Sequence, residues 1–294
     1  MVQSTGAMPG TLYVVATPIG NLEDIALRAR RVLSEVDLIA CEDTRQTRKL
    51  LARHDIKTPT ISYHQHNEQQ RSQELIGRLK AGANVALVSD AGAPTISDPG
   101  SILIHRAMTE GIPVVPIPGP SAVITALMAA GLPTERFLFI GFLPAKQTAR
   151  RRELESLVRL PYTLVFYEAP HRVRAAVQDI LEILGDRPAV LARELTKIHE
   201  EFQRAPLSQL LRQLEEHPVR GELVLLVAGA SAPDSQSPPP IPSHEPNVYD
   251  LVVELVRTDH LDLKAAIKRV ARARGVSKNE AYKEYLKHKT ERER

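Results

Sequence analysis

Short apolar runs alternate with amphipathic helical patterns along the first 230 residues of this 294-residue chain. The apolar runs are rich in β-branched residues and are bounded by polar turns, which is typical of buried strands. The intervening segments repeat their apolar residues every three or four positions, which is typical of helices with one buried face. Because parallel strands need a crossover connection, this alternation predicts an α/β fold with parallel strands.

The strands form two series, and each series predicts one α/β domain. The first series is "LYVVA" (Leu12–Ala16), "VDLIA" (Val36–Ala40), "VALVS" (Val85–Ser89) and "VVPI" (Val114–Ile117), followed by a helix that ends at Gly131. The second series is "FLFIGF" (Phe137–Phe142), "YTLVFY" (Tyr162–Tyr167), "AVLARE" (Ala189–Glu194) and "ELVLLVA" (Glu222–Ala228). We expect a flexible N-terminus over residues 1–10, an N-terminal α/β domain over 11–131 and a C-terminal α/β domain over 132–230.

A proline-rich segment follows the second series. Residues Ser231–Pro246 hold 6 of the 22 prolines, which predicts an extended, semi-rigid linker over 231–246. Three helical patterns then predict a small helical domain over residues 247–294. Ser277 and Glu280 have the spacing of a capping box, and Gly275 is expected to end the preceding helix.

Positive charge is concentrated in this tail. The formal net charge is +3, but Asp262–Arg294 holds 11 Lys or Arg against 5 Asp or Glu, a balance of +6, so the first 261 residues carry −3. A basic appendage on a near-neutral body favours an anionic macromolecular partner. The alternative is a solvated helix face that binds nothing.

Cysteine content and hydropathy predict a cytoplasmic protein without a membrane partner. Cys41 is the only cysteine, which excludes an internal disulfide and fits a reducing compartment. The polar start "MVQSTGAMPG" lacks the pattern of a signal peptide. No apolar run approaches the roughly 18 residues that a membrane span needs.

Three loops of small residues follow predicted strands. They are "ATPIGNL" after the first strand, "SDAGAPTISDPG" after the third and "PIPGPSA" after the fourth. The carboxyl ends of parallel strands are where open α/β sheets bind ligands. None of the loops has a P-loop or dinucleotide-binding pattern, and none contains Lys or Arg, so we expect a neutral or cationic ligand. The alternative is that Asp90 or Asp98 merely caps a turn or a helix.

The ordered set of motifs resembles a known family. The motifs are "VATPIGNLEDIALRA", "CEDTRQTRKLL", "YHQHNE", "VSDAGAPTISDPG", "PGPSAVITAL", "YEAPHR", "ARELTK" and "GELVLLV". Together they are similar to the ribosomal RNA small subunit methyltransferase I family, the cytidine 2′-O-ribose methyltransferases of the tetrapyrrole methylase superfamily. The resemblance covers about Gly10 to Gly229. Two residues depart from it: Ala93 stands where the family usually has Thr, and Gln65 where it often has Glu.

The resemblance implies two α/β domains of tetrapyrrole-methylase type with S-adenosylmethionine bound in the cleft between them, and no metal. The small-residue loops suit a sulfonium cation joined to an apolar adenosine. The residues implied for the cofactor are Pro18, Asp90, Gly92, Ile96, Ser121 and Ala122 from the first domain and Tyr167, Glu168, Arg193 and Leu195 from the second.

The implied reaction is in-line displacement at the methyl carbon by a ribose hydroxyl, which a general base would assist. The candidate bases are Lys197 with Glu194, and Asp43 or His64. Lys197 and Glu194 share a face only if the chain turns after its strand. The alternative for Glu194 is a simple ion pair with Arg193 or with another positive residue of the loop.

Two histidines raise the question of a metal site. His64 and His66 have the spacing of zinc ligands in an extended segment, but no third ligand is evident, so we predict no metal site.

The resemblance also implies a partner and an assembly. The implied partner is 16S ribosomal RNA in the small ribosomal subunit, and the implied assembly is a homodimer. Candidate phosphate contacts are Lys146, Arg150, Arg151 and Arg152 on the second domain and Lys268, Arg269, Arg272, Arg274 and Lys278 in the tail.

Two other functions remain open. A tetrapyrrole (precorrin-type) C-methyltransferase would share the fold and the cofactor, but would lack the basic tail and usually carries "GxGPGD" where this chain has "TPIGNL". A non-enzymatic RNA-binding module is less favoured, because loops of small residues without Lys or Arg contribute nothing to phosphate binding.

Overall fold

The structure, a computed structural model, describes residues 8–217, 219–230, 252, 255, 262–274 and 276–292, with the backbone alone for 273, 274 and 288–292. The chain divides into two compact units, Met1–Ala232 and Pro233–Arg294. The first unit holds two five-stranded sheets, and the elements in the described part of the second unit are helices. The predicted linker over 231–246 lies outside the described residues.

The first sheet is fully parallel, as the alternation predicts, with strand order β3-β2-β4-β1-β5. Its strands are β1 (Leu12–Val15), β2 (Leu38–Cys41), β3 (Thr60–Ser62), β4 (Val85–Val88) and β5 (Val114–Ile117). Its helices are α1 (Leu27–Glu35), α2 (Thr44–Arg53), α3 (Glu68–Lys80), α4 (Ser101–Thr109) and α5 (Ala122–Ala130). Gly131, in the left-handed region with φ of 74°, ends α5 as predicted.

The second sheet has strand order β6-β7-β10-β8-β9. Its strands are β6 (Phe137–Phe142), β7 (Thr163–Glu168), β8 (Pro188–Arg193), β9 (Glu201–Pro206) and β10 (Leu223–Val227). Its helices are α6 (Gln147–Leu157), α7 (Pro170–Leu184) and α8 (Leu207–Glu216). Strands β3 and β9 were not predicted, because "TIS" and "EFQRAP" are partly exposed edge strands without an apolar run.

The prediction of parallel pairing is wrong for most of the second sheet. Only β6 and β7 pair in parallel, whereas β10 is antiparallel to both β7 and β8, and β9 is antiparallel to β8. The reason is the short connection at residues 194–200, which reverses the chain between β8 and β9, as a hairpin does. Strand β10 therefore begins where β7 and β8 end, and Leu223 is paired with Glu168 and Arg193.

Helix α5 joins the two sheets. Its buried residues Val123, Ala126 and Leu127 belong to an apolar cluster with Val165 of β7 and Leu226 of β10. The expected domain boundary at 131/132 therefore separates α5 from the sheet on which it packs. Gly10, expected in a flexible N-terminus, is buried, and its N–H donates to the Leu79 carbonyl at 2.8 Å.

A buried ion pair connects α6 to α7. The Arg150 guanidinium lies 2.6 Å from a carboxylate oxygen of Asp179, and both side chains are at most 6% exposed. Arg150 also donates to the carbonyl oxygens of Pro144 and Ala145. The prediction that Arg150 contacts RNA phosphate is therefore corrected: its donors are used inside the protein.

The second unit contains α9 (Leu263–Arg274) and α10 (Lys278–Arg292), which pack around a small core that includes Ile267, Val270 and Tyr285. The predicted capping box is present: the Ser277 N–H donates to Glu280 at 2.9 Å and the Glu280 N–H donates to the Ser277 hydroxyl at 3.3 Å. Gly275 lies outside the described residues. In the described part of the chain, no helix has the length and apolarity of a membrane span.

We expect Asp179→Asn to lower the free energy of unfolding by about 3 kcal/mol, because it leaves a buried Arg150 without its counter-charge. Burial raises the pKa of Asp179, but hydrogen bonds from Arg150, Gln147 and Arg151 outweigh it and hold the pKa below the usual value. In the wild-type protein, the stabilisation by the pair of Asp179 with Arg150 should therefore be complete above about pH 4 and be lost as the pH falls through the lowered pKa of Asp179. Urea unfolding at several pH values measures both effects.

The matched control is Glu182→Gln, which removes an exposed carboxylate that pairs with Arg151. We expect it to change the stability by less than about 1 kcal/mol. Equal losses in the two variants would contradict a structural role for the buried pair.

Candidate functional site

The loops that follow β1 and β4 are joined by their backbones. The Thr17 N–H donates to the Gly92 carbonyl at 2.9 Å, and the Gly92 N–H donates to the Thr17 carbonyl at 3.0 Å. The Thr17 hydroxyl donates to the Ser89 carbonyl at 3.1 Å. Gly92 has a φ of 80°, a conformation that favours glycine. These bonds fix two of the three small-residue loops at one edge of the first sheet.

The loop after β4 has an unusual backbone. Thr95 and Ser97 have φ of 72° and 64°, which is uncommon for residues with a side chain. Gly141 in β6 makes room for this loop, since an added Cβ would lie 3.1 Å from the Ser97 hydroxyl oxygen. The strained loop is therefore held against the second sheet, and such strain is frequent at functional sites.

A cavity of about 330 Å³ lies between the ends of the two sheets. Its walls come from the loops after β1, β4 and β5, from the ends of β6, β7 and β8, and from the start of β10. The lining residues are Ile19, Ala91, Gly92, Ala93, Ile96, Ser97, Asp98, Ser121, Ala122, Phe142, Tyr167, Glu168, Ala169, Pro170, Leu195, Gly221, Glu222, Leu223 and Val224. The wall is mostly apolar with a few polar groups, as in small-molecule sites.

Seven of the ten residues predicted to contact the cofactor line this cavity: Gly92, Ile96, Ser121, Ala122, Tyr167, Glu168 and Leu195. Three do not. Pro18 is buried within its loop. Asp90 accepts a hydrogen bond from the Asp43 N–H at 2.9 Å, and Arg193 is ion-paired with Glu201 at 2.6 Å. The predicted residues thus follow strands that end at the cavity, but the direction of each side chain was not predictable from the sequence.

Glu168 is the most deeply buried carboxylate of the cavity wall, only 3% exposed. One oxygen, Oε1, accepts from the Ala169 N–H at 2.9 Å and lies 3.3 Å from Arg172 Nε. The other, Oε2, is buried without a hydrogen-bond partner among the described residues. Arg172 also donates to the Leu143 carbonyl, which ties Glu168 to the segment after β6. A buried carboxylate oxygen without a donor is costly, so a ligand donor is expected there.

The turn after β8 brings Glu194 and Lys197 together. The Lys197 N–H donates to the Glu194 carbonyl, and Lys197 Nζ lies 2.9 Å from Glu194 Oε1 and 3.2 Å from Glu222 Oε2. Glu194 and Thr196 both have positive φ, of 51° and 66°. Glu194 thus pairs with Lys197, whereas Arg193 pairs with Glu201.

The charges of this turn argue against Lys197 as a base. Burial lowers the pKa of Lys197, but the carboxylates of Glu194 and Glu222 outweigh burial and leave the pKa above its usual value. The hydrogen bond from Lys197, followed by that from the Glu222 N–H, lowers the pKa of Glu194. A protonated amine has no free electron pair, so Lys197 is better suited to hold the turn than to accept a proton.

Asp43 and His64, the other candidate bases, lie outside the cavity wall. Asp43 caps α2, and hydrogen bonds from the Arg45 side chain and N–H lower its pKa to about 2. His64 Nε2 lies 3.2 Å from Asn67 Nδ2, and Nδ1 is buried with no hydrogen-bond partner in the described residues. The His64 and His66 rings are 6.0 Å apart, and no cluster of three metal-ligating side chains occurs within the described ranges.

The sequence suggested no role for Asp98 beyond capping a turn or a helix, but Asp98 lines the cavity. Helix α4 is capped by Gly100 without a side-chain hydrogen bond, so Asp98 does not cap it. Burial raises the pKa of Asp98, and the negative charge of Asp90 raises it further. The sequence signal was the second aspartate of "SDAGAPTISDPG", which only the loop's positive-φ residues bring to the cavity wall.

The remaining predicted RNA contacts differ in accessibility. Lys146 and Arg152 are exposed on α6 and its N-terminal end, whereas Arg151 pairs with Asp179 and Glu182. Of the predicted contacts in the tail, Lys268, Arg269, Arg272 and Lys278 are exposed. The Arg274 side chain lies outside the described residues.

The model of the tetrapyrrole (corrin/porphyrin) methylases matches residues 11–236, and the chain belongs to this family. Within the curated proteins, relatives named ribosomal RNA small subunit methyltransferase I match almost the whole chain. The relative from Halalkalibacterium halodurans is 48% identical over 281 residues, which cover 94% of each chain. The relative from Pseudomonas aeruginosa is 47% identical, and the match covers 94% of this chain and 97% of the relative. The relative from Escherichia coli O157:H7 is 46% identical, and the match covers 96% of each chain.

Solved structures share the fold. Uroporphyrin-III C-methyltransferase from Thermus thermophilus, complexed with S-adenosylhomocysteine, has a TM-score of 0.54 at 21% identity and covers 74% of this chain and 97% of its own. A diphthine synthase has a TM-score of 0.58 at 16% identity, with 74% and 89% coverage. At these identities the likeness shows the two-sheet fold alone.

We expect Gly20→Ala to lower the stability by about 1–3 kcal/mol, because it overpacks the contact between the loop after β1 and the turn after β8. An added Cβ would lie 2.6 Å from Lys197 Cγ and 2.9 Å from the Thr196 hydroxyl oxygen, which accepts from the Asn21 N–H. The control is Gly77→Ala in α3, where an added Cβ meets nothing within 4 Å. That change should stabilise by up to about 1 kcal/mol. A neutral Gly20→Ala in urea unfolding would contradict the close contact.

Proposed function

We propose that the protein transfers the methyl group of S-adenosylmethionine to small-subunit ribosomal RNA, with the cofactor held in the cavity between the two sheets. The observation that carries the proposal is this cavity of small and apolar residues, in whose wall one buried oxygen, Glu168 Oε2, has no hydrogen-bond partner within the described part of the chain. The names of the near full-length relatives give the class of substrate.

The residues present fit the cofactor. Tyr167 and Phe142 offer an aromatic wall for an adenosine, and Ala91, Gly92 and Ala93 allow close approach of a ligand to the backbone. Glu168 Oε2 can accept from an amino or hydroxyl group of the ligand. S-adenosylmethionine supplies a methyl group on a positively charged sulfur, and the cavity wall contains carboxylates but neither Lys nor Arg.

Basic side chains support binding of RNA. Lys146 and Arg152 are exposed on α6 and at its N-terminal end, and Lys268, Arg269, Arg272 and Lys278 are exposed on the described helices of the second unit. Arginine and lysine that face solvent can contact phosphate, whereas Arg150 and Arg151 are engaged with carboxylates. The proposal therefore rests on this reduced set rather than on all nine predicted residues.

The acceptor atom and the assembly follow from the resemblance of the sequence motifs to the 2′-O-ribose methyltransferases. The acceptor is the 2′ hydroxyl of a cytidine in 16S ribosomal RNA of the small subunit, and the active assembly is a cytoplasmic homodimer. The 2′-O reaction requires the ribose to lie beside the methyl group of the cofactor.

The two alternatives are less well supported. A tetrapyrrole C-methyltransferase has the family and fold in its favour, but relatives with 46–48% identity and more than 90% coverage carry the ribosomal RNA name. A non-enzymatic RNA-binding protein would have no use for an apolar cavity with a buried carboxylate.

We expect the purified protein to bind S-adenosylmethionine without added metal, and Glu168→Gln to weaken that binding by about 1–3 kcal/mol, since the amide replaces one acceptor oxygen with a donor. Titration calorimetry measures the affinity. Glu155→Gln, a change at an exposed position of α6, is the control and should leave the affinity unchanged. Equal affinities for all three proteins would remove Glu168 from the site.

We expect deletion of residues 247–294 to flatten the plot of log RNA affinity against log salt by roughly two to five units, because each phosphate contact contributes close to one unit. Methyl transfer to small subunits from cells that lack this protein should then need more RNA for the same rate. Affinity for S-adenosylmethionine should be retained, which controls for folding of the α/β unit. An unchanged salt slope and RNA requirement would assign the basic tail to packing or to dimerisation.

A further inference from the structure

Three carboxylates line the cavity, and they differ in what neutralises them. Glu168 lies beside the Arg172 guanidinium at 3.3 Å, and Glu222 lies 3.2 Å from the Lys197 ammonium. Asp98 has no hydrogen bond to a cationic side chain within the described residues. Asp98 is therefore the cavity carboxylate whose electron pairs are least committed to a positive partner.

The backbone holds Asp98 at this place. It follows Ile96 and Ser97, which also line the cavity, and Thr95 and Ser97 adopt left-handed conformations. Gly100, with φ of 138°, then starts α4, and an added Cβ there would lie 2.8 Å from Leu87 Cδ2. The strained loop fixes the carboxylate at the wall instead of leaving it at the N-terminus of the helix.

The groups that face Asp98 are acidic or weakly polar. Asp90 and the Ser89 hydroxyl come from its own loop, Glu42 comes from the end of β2, and Tyr167 comes from β7. Burial, followed by Asp90 and Asp98, raises the pKa of Glu42, and burial, followed by Asp98, raises the pKa of Tyr167. An acidic neighbourhood makes a carboxylate a better proton acceptor.

We propose that Asp98 is the general base of the methyl transfer, accepting the proton of the attacking ribose hydroxyl. This inference rests on the proposed function. The ribose oxygen forms its bond to the methyl carbon, the bond between that carbon and the sulfur breaks with its electron pair going to sulfur, and the hydroxyl proton passes to an Asp98 carboxylate oxygen. The proton then leaves to water, so that the carboxylate is restored.

The direct test is Asp98→Asn, which keeps the shape of the side chain but cannot accept the proton. Single-turnover methyl transfer is measured with saturating S-adenosylmethionine and small ribosomal subunits from cells that lack this protein. We expect a loss of about 10²- to 10⁴-fold in rate, while the calorimetric affinity for S-adenosylmethionine changes by less than about threefold. Asp55→Asn, at an exposed aspartate in the turn after α2, is the matched control and should react at the wild-type rate.

The pH dependence separates a base from a structural role. The wild-type rate should rise with pH through the raised pKa of Asp98 and then level off, because only the deprotonated carboxylate accepts a proton. The Asp98→Asn rate should lack this rise. Formate added to Asp98→Ala should restore part of the rate, because it supplies a carboxylate where the side chain was removed.

Three outcomes of these experiments would contradict what we propose. A rate for Asp98→Asn within about threefold of wild type overturns Asp98 as the base. A loss of S-adenosylmethionine affinity in Asp98→Asn, without rescue of Asp98→Ala by formate, also overturns it and assigns Asp98 to cofactor binding. A wild-type protein that neither binds S-adenosylmethionine nor labels ribosomal RNA contradicts the proposed function itself.

Discussion

The cavity depends on main-chain hydrogen bonds that hold loops together at the ends of strands. The paired bonds between Thr17 and Gly92 join the loops after β1 and β4, although the two residues are 75 positions apart in sequence. Because backbone groups make these bonds, the loops themselves can consist of alanine, glycine, proline and serine. The cavity wall is then mostly apolar, with carboxylates as its charged lining residues, which suits a ligand with an apolar nucleoside and a positive charge.

The second constraint is the direction of β10. Since β10 runs antiparallel to β7 and β8, its first residues lie beside their last ones, and one edge of the second sheet gathers Glu168, Glu222 and the turn at Glu194–Lys197. Helix α5 packs on this sheet while the loop before it lines the cavity. Residues that follow strands of the first sheet and residues of the second sheet therefore line the same cavity.

The sequence predicted the helices and most strands well, because each carries a clear apolar period. The edge strands β3 and β9 and the antiparallel pairing of β10 lacked such a signal, since pairing direction depends on how the chain returns rather than on local residues. The loops that form the cavity were also identified from their small residues. The roles of single side chains were harder to predict from the sequence. Asp98 reaches the cavity wall in a loop where Thr95 and Ser97 adopt positive φ. Arg150 is buried on α6 because Asp179 lies opposite it on α7.

We propose that the methyl donor binds between the two sheets, against Glu168. A crystal structure of the protein with S-adenosylhomocysteine is the sharpest test of this binding mode. We expect the nucleoside to lie within the cavity bounded by Gly92, Tyr167 and Leu195, with a ligand donor within hydrogen-bond distance of Glu168 Oε2. A ligand bound elsewhere, or one in the cavity that leaves Glu168 Oε2 without a partner, would show that this binding mode is wrong.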